Sequence, residues 1–192
     1  MREFQFRMIG VGLVLSTSIV AAAESASQAP AERLSRLLAK RKLQAFATEL
    51  SSTPGRFAAV LYFPGVQMLT ILATYPVPRL LRERVSMGEY REAYSDLSTA
   101  AERQGRLFVE DFGEPGLRAT RNGEKPFDIT WRNQTEGVKY DGAWLGQKLS
   151  EDEYRRRYEA DDAEYADALN VLIKALEAPP SGGELTSQSG SW

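Results

Sequence analysis

Two apolar runs, residues 57–63 and 66–75, flank Pro64-Gly65 and carry large hydrophobic side chains at odd and even positions alike. A strand presents alternate residues to opposite faces, so apolar residues in both registers predict strands covered on both sides. Pro and Gly at the junction are turn formers, and the pair predicts a hairpin at the centre of the core. A two-residue connection sets Phe63 opposite Val66, Leu61 opposite Met68 and Phe57 opposite Leu72. The other face then carries Tyr62 with Gln67, Val60 with Leu69 and Ala58 with Ile71.

Around this hairpin the period changes. Residues 31–41 place Leu34, Leu37 and Leu38 on one helical face, with Pro30 suited to a helix start. Residues 43–48 fit a strand or a helix, with the alternation of Leu43, Ala45 and Ala47 favouring a short strand. Pro76 and Pro78 end the second hairpin strand and lead into a helix from Arg79, with a capping-box pair at Ser86 and Glu89 and an apolar face of Tyr90, Tyr94 and Leu97. Residues 106–112 read as a strand ending at the Glu114-Pro115-Gly116 turn. In residues 127–132, Phe127, Ile129 and Trp131 are expected inward and Asp128, Thr130 and Arg132 outward, with a partner strand over 138–144. Ser150 and Glu153 form a second capping box, opening a last helix striped by Tyr154, Tyr158, Tyr165, Leu169, Leu172 and Leu176 and stopped by Pro179-Pro180. This order predicts an α+β fold: an antiparallel sheet with a central hairpin and flanking helices, or alternatively a split-barrel-like arrangement.

The ends of the chain differ from its middle. Arg2 and Arg7 precede an uncharged, apolar-rich run over residues 8–23 that closes on Ala21-Ala22-Ala23. This is the pattern of a signal peptide cleaved after Ala23; the run is short for a spanning helix and is interrupted by Ser16, Thr17 and Ser18. The expected organisation is a signal peptide over 1–23, one α+β domain over 24–178 and a Gly/Ser-rich, disordered tail over 179–192. The processed chain is expected in the periplasm or secreted, with no stable membrane span.

Composition then removes whole classes of chemistry. The chain contains no histidine and no cysteine, so Ser-His-Asp and Cys-His catalysis, His- or Cys-ligated zinc, and disulfides are impossible within it. Any metal would need oxygen ligands, and no calcium-loop motif is present, so no metal and no cofactor is expected. Of 24 basic and 26 acidic residues, the leader holds two and one, leaving 22 against 25 and a formal charge of −3. Such a balance gives no footprint for nucleic acid.

The remaining candidates are carboxylates and aromatics. Glu110 and Asp111 are adjacent on a strand, so they point to opposite faces and cannot converge on one bond. Apolar neighbours on both sides predict that one of them is partly buried, either as a general acid or, the preferred reading, as a structural partner of an arginine such as Arg56 or Arg118. Setting Trp131 opposite Val138 and Ile129 opposite Tyr140 places Asp128 across from Asp141. That like-charge pair invites a cation, although Lys139 on the same face is the simpler neutraliser. Trp131, Tyr140, Asp128, Asp141 and Arg56 are thus the binding candidates, and Glu110 and Asp111 the catalytic ones. Asp161 or Asp162 falls between Tyr158 and Tyr165 on the last helix, where the edge of the stripe, in water, is the preferred placement. Arg155-Arg156-Arg157 reads as a salt-bridged surface, and Asn133-Gln134-Thr135 as a weak glycosylation pattern.

Residues 55–75, the stretch Phe108-Val109-Glu110-Asp111-Phe112-Gly113, the segment Tyr140-Asp141-Gly142-Ala143-Trp144 and residues 149–154 together resemble a group of uncharacterised exported bacterial proteins. The resemblance implies bacterial export and a single domain and carries no functional residues with it. The order of elements is also similar to the flavin-binding split barrel, a likeness of fold alone. Three functions follow as expectations: a non-catalytic envelope module binding a ligand or an envelope protein, a carboxylate-dependent hydrolase of envelope or extracellular glycans, and a flavin-binding protein. The sequence leaves open whether the chain is an enzyme.

Overall fold

A computed structural model describes residues 25–51, 53–63, 67–73, 107–118, 128–132, 137–139, 150–178 and 185–188. Its described elements are α1 (Gln28–Arg41), β1 (Leu43–Glu49), β2 (Phe57–Phe63), β3 (Gln67–Ala73), β4 (Phe108–Phe112), β5 (Ile129–Trp131), β6 (Gly137–Lys139), α2 (Glu151–Glu177) and β7 (Leu185–Gln188). The strands form one antiparallel seven-stranded sheet in the order β6-β5-β4-β3-β2-β1-β7. Among the described residues no pairing joins the two edges, so the described sheet is open rather than split-barrel-like. The fold is α+β with helices packed on an antiparallel sheet, as the pattern of the sequence predicts.

The β2–β3 hairpin is its centre. Val60, Leu61, Leu69 and Ile71 are fully buried, which confirms that both faces are covered. Its register differs by one residue from the expected one: Phe63 pairs with Gln67, Leu61 with Leu69 and Tyr62 with Met68. The connection therefore spans three residues rather than two, and every β3 side chain changes face relative to β2. One face, with Phe46, Ala58, Val60, Met68 and Val109, joins Leu34 and Leu38 of α1 and Tyr165, Leu169, Leu172 and Leu176 of α2 in a single core. The tyrosine and leucine stripe of α2 thus packs as its spacing predicts, and the Ser150–Glu153 capping box starts that helix.

Several expectations are corrected. Thr130 is fully buried against the helices, while Ile129 and Trp131 are only half-buried, so the inward and outward faces of β5 are exchanged. The β5–β6 register pairs Trp131 with Gly137 and Thr130 with Val138, one residue away from the register that faced Asp128 with Asp141. The tail expected to lack structure contributes Leu185–Gln188 as a strand on the outer edge of β1, whose backbone groups would otherwise go unpaired. The leader over 1–23, the expected helix from Arg79, Asn133, Tyr140, Asp141 and Trp144 lie outside the described residues.

Candidate functional site

At one end of the sheet a set of aspartates is buried between α2, the ends of β4 and β5, and residues 113–118. Asp111, Asp128, Asp161 and Asp162 are at most 5 % exposed. Carboxylates are taken out of water only when the chain supplies donors, and here each acceptor has named partners.

Asp162 reaches from α2 to the turn before α1. It accepts from Ala26 N at 2.5 Å, Ser27 N at 3.1 Å and Ser27 Oγ at 2.6 Å. Ser27 is the residue preceding α1 but makes no capping bond to its own helix. Its hydroxyl instead donates to Asp162 and accepts from Leu117 N at 2.8 Å, joining two segments far apart in sequence. Asp161 binds the sheet side: it accepts from the Thr130 hydroxyl and from Arg132 Nε at 2.6 Å, while Arg132 also pairs with Glu164 at 2.7 Å.

Asp111 and Asp128 hold residues 112–118. Asp111 Oδ2 accepts from Gly116 N at 2.8 Å and from Tyr165 Oη at 2.7 Å. Asp128 accepts from Phe112 N at 2.9 Å through Oδ1 and from Arg118 N at 2.6 Å through Oδ2. Tyr158 adds a hydrogen bond to the Leu117 carbonyl at 2.8 Å. Gly116 is required here: its φ is +104°, and a Cβ would stand 2.5 Å from Gln28 Cα, so this turn lies directly on the start of α1.

Burial dominates the electrostatics of the cluster. It pushes the Asp111 carboxyl up to about 6, against the Gly116 and Tyr165 hydrogen bonds and the Arg118 charge, which favour the anion. It pushes Asp128 further, to about 8, with the negative charge of Asp111 as the second cause. Burial likewise raises Tyr158 to about 12 and Tyr165 well above the ordinary phenol range, with Asp162 and Asp111 respectively adding to the effect. The Thr70 hydroxyl is buried beside Tyr165 and bears on its ionisation, yet makes no hydrogen bond of good geometry.

The two catalytic candidates thus have different positions. Both Glu110 and Asp111 are buried, where only one was expected to be, and they occupy opposite faces of β4. Asp111 has Arg118 as its neighbouring cation. Arg56 immediately precedes β2, whereas Asp111 pairs through Met68 in the row of Tyr62 at the other end of that strand. Asp128 is 1 % exposed rather than outward, because its oxygens are turned onto the backbone of Phe112 and Arg118. Trp131 lies on the sheet face opposite Thr130 and pairs with Phe108, so the structure does not bring it to this cluster. Ser27, Thr130, Asp161 and Asp162 are the residues that pattern reasoning placed wrongly or passed over. For the two aspartates the signal was present: three or four residues after Tyr158 and before Tyr165, both fall within reach of the buried stripe.

Chemically, two carboxylates with separated proton affinities are the arrangement that can divide acid and base roles. Here, however, both are sealed and occupied by the chain's own donors. Among the described residues no group of three or more His, Cys, Asp or Glu side chains is placed to hold a metal ion. No described helix is long and apolar enough to cross a membrane. Comparison of the chain with family models, with curated proteins and with solved structures gives no match.

Proposed function

We propose that the chain is an exported, non-catalytic module of the cell envelope that binds a ligand or a protein partner. The observation that carries this reading is the engagement of the buried carboxylates. Asp111, Asp128, Asp161 and Asp162 accept hydrogen bonds from backbone amides, hydroxyls and an arginine of the same chain. They fasten the fold, and among the described residues each is buried against donors of the chain itself. Export is supported by the basic, apolar, alanine-terminated leader over residues 1–23.

A second reading, the carboxylate-dependent glycan hydrolase, is favoured by one feature: Asp111 and Asp128 lie close enough for their charges to interact, with proton affinities about two units apart. The two readings separate in one experiment. The processed chain from Glu24 is screened by thermal shift against peptidoglycan fragments, oligosaccharides, nucleotides and flavin, and in parallel for turnover of fluorogenic glycosides. A ligand-dependent rise in melting temperature without turnover supports the binding module. Turnover abolished by both Asp111→Asn and Asp128→Asn overturns it in favour of the hydrolase. Mass spectrometry of the exported protein checks processing, with Glu24 expected as the first residue and an intact Met1 in the membrane fraction contradicting export as a free module.

A further inference from the structure

We propose that residues 113–118 are a proton-operated strap, closed over the end of the sheet while at least one of Asp111 and Asp128 is uncharged and released when both carboxylates are charged. The geometry makes the strap dependent on side chains that titrate. Its backbone anchors at Gly116 and Arg118 are amides bonded to Asp111 and Asp128, and the amide entering it, Phe112 N, is bonded to Asp128 as well. Between these anchors Leu117 is held by Ser27 Oγ on its amide and by Tyr158 on its carbonyl. The strap therefore joins the turn before α1 to α2 and to the sheet, and loosening it loosens that turn as well.

The charged and titratable groups around the pair come from each element packed on it. The strap supplies Arg118, whose charge favours the anion of either aspartate and whose guanidinium also pairs with the exposed Glu114 at 2.6 Å. Helix α2 supplies Tyr165, which donates to Asp111, and Tyr158, which is set between the charges of Asp162 and Asp128. Tyr154 lies beside Tyr158, and β3 contributes only the neutral Thr70 near Tyr165. Among the described residues Arg118, which also pairs with Glu114, is the cation that faces the two carboxylates. Charging the second one in a closed, water-poor space is therefore opposed by burial and by the first.

The sign follows from proton counting. In the closed state the pair holds one proton between about pH 6 and about pH 8, whereas hydrated aspartates of the open state, near 3.8, hold none. Opening releases that proton, so its equilibrium constant rises about tenfold per pH unit across this window. An exported protein experiences external pH directly, and the strap gives this fold a means to respond to it.

The test is amide hydrogen exchange of the processed chain, corrected for the intrinsic pH dependence of exchange. Protection of the Gly116, Leu117 and Arg118 amides is expected to fall on the order of a hundredfold from pH 6 to pH 8, while core amides of β2 and β3 stay protected. Asp111→Asn is the diagnostic variant. Asp111 uses the same oxygen for Gly116 N and Tyr165 Oη, so asparagine can keep both bonds while removing the charge. That variant should keep a pH dependence set by the burial of Asp128 but move it to lower pH, because the Asp111 charge is the second cause of the Asp128 shift, and it should be more protected than the parent at pH 9. Carboxyl carbon NMR of the parent chain is independent of how any variant folds, and should show two aspartates titrating well above 3.8. Strap protection that is flat with pH, an equal fall at the core amides, a profile in Asp111→Asn that does not move to lower pH, or two ordinary aspartate titrations would each overturn the proposal.

Discussion

Replacing Asp162 by alanine removes three hydrogen bonds at once and isolates the attachment of α1 to α2. Its partners are Ala26 N at 2.5 Å, Ser27 N at 3.1 Å and Ser27 Oγ at 2.6 Å. Ser27 N is buried, and a buried donor left without a partner costs about 1–3 kcal/mol. Ala26 N is only part-buried, so water can replace its acceptor and the loss there is smaller. The Ser27 hydroxyl keeps its bond from Leu117 N but loses the acceptor for its own proton. Against this, the variant no longer buries a carboxylate, which recovers part of the loss. A net destabilisation of about 3 kcal/mol is expected. Asp162→Asn should cost about 1 kcal/mol, because Oδ1 alone accepts both Ser27 bonds and an asparagine oxygen can occupy that position. Asp167→Ala, at an exposed site on the same helix, should stay within about 0.5 kcal/mol of the parent. Urea unfolding measures all three, with a shifted midpoint at constant m-value reporting stability alone. If Asp162→Ala unfolds with Asp167→Ala, the Asp162 bridge does not hold the domain together and the reasoning fails.

Three further substitutions probe the neighbouring parts. Thr130→Ala should cost about 1–3 kcal/mol, because the buried Asp161 loses the donor of the Thr130 hydroxyl; an effect below about 0.5 kcal/mol would restore the outward placement of Thr130. Gly116→Ala should destabilise by about 2 kcal/mol or more, since φ is +104° and the new Cβ meets the Gln28 backbone, and a neutral result in thermal melts would mean that the strap does not lie on α1. Leu61→Ala should cost about 2–5 kcal/mol, as Leu61 is fully buried on the sheet face opposite the helices. A small effect in denaturant melts would mark that face as an exposed binding surface.

The elements with long or doubly apolar patterns were legible, and the relations between them were less so. The β2 and β3 runs carry hydrophobic residues in both registers, and that same property hides the pairing: slipping one residue exchanges one buried apolar set for another. Nothing in Phe57 to Phe63 penalises the wrong alignment, so the connection length decides it. For β5 the alternation was real but its polarity misled. Thr130 and Asp128 look solvated because they are polar, while Ile129 and Trp131 look buried because they are not. The structure reverses this because α2 brings Asp161 to Thr130, and the chain's own backbone amides come to Asp128. No local pattern contains a partner that is 31 residues away, as Asp161 is from Thr130.

The absence of cysteine gives this polar cluster its meaning. Many disulfide-containing domains close distant segments with covalent bridges, which resist changes of pH. Here the turn at 25–27, the strap at 113–118 and α2 meet without any such bridge. Aspartates take that role, and Ser27 lies at the junction with bonds to both Asp162 and Leu117. The four aspartates do not act alike. Asp161 meets an arginine directly and Asp162 meets two backbone amides and a hydroxyl, whereas Asp111 and Asp128 interact with one another as well as with the strap. A seam held by this last pair is strongest at low pH and weakens as its protons leave. The same fold thus carries a reversible fastener at Asp111 and Asp128 beside the hydrogen bonds and ion pair of Asp161 and Asp162.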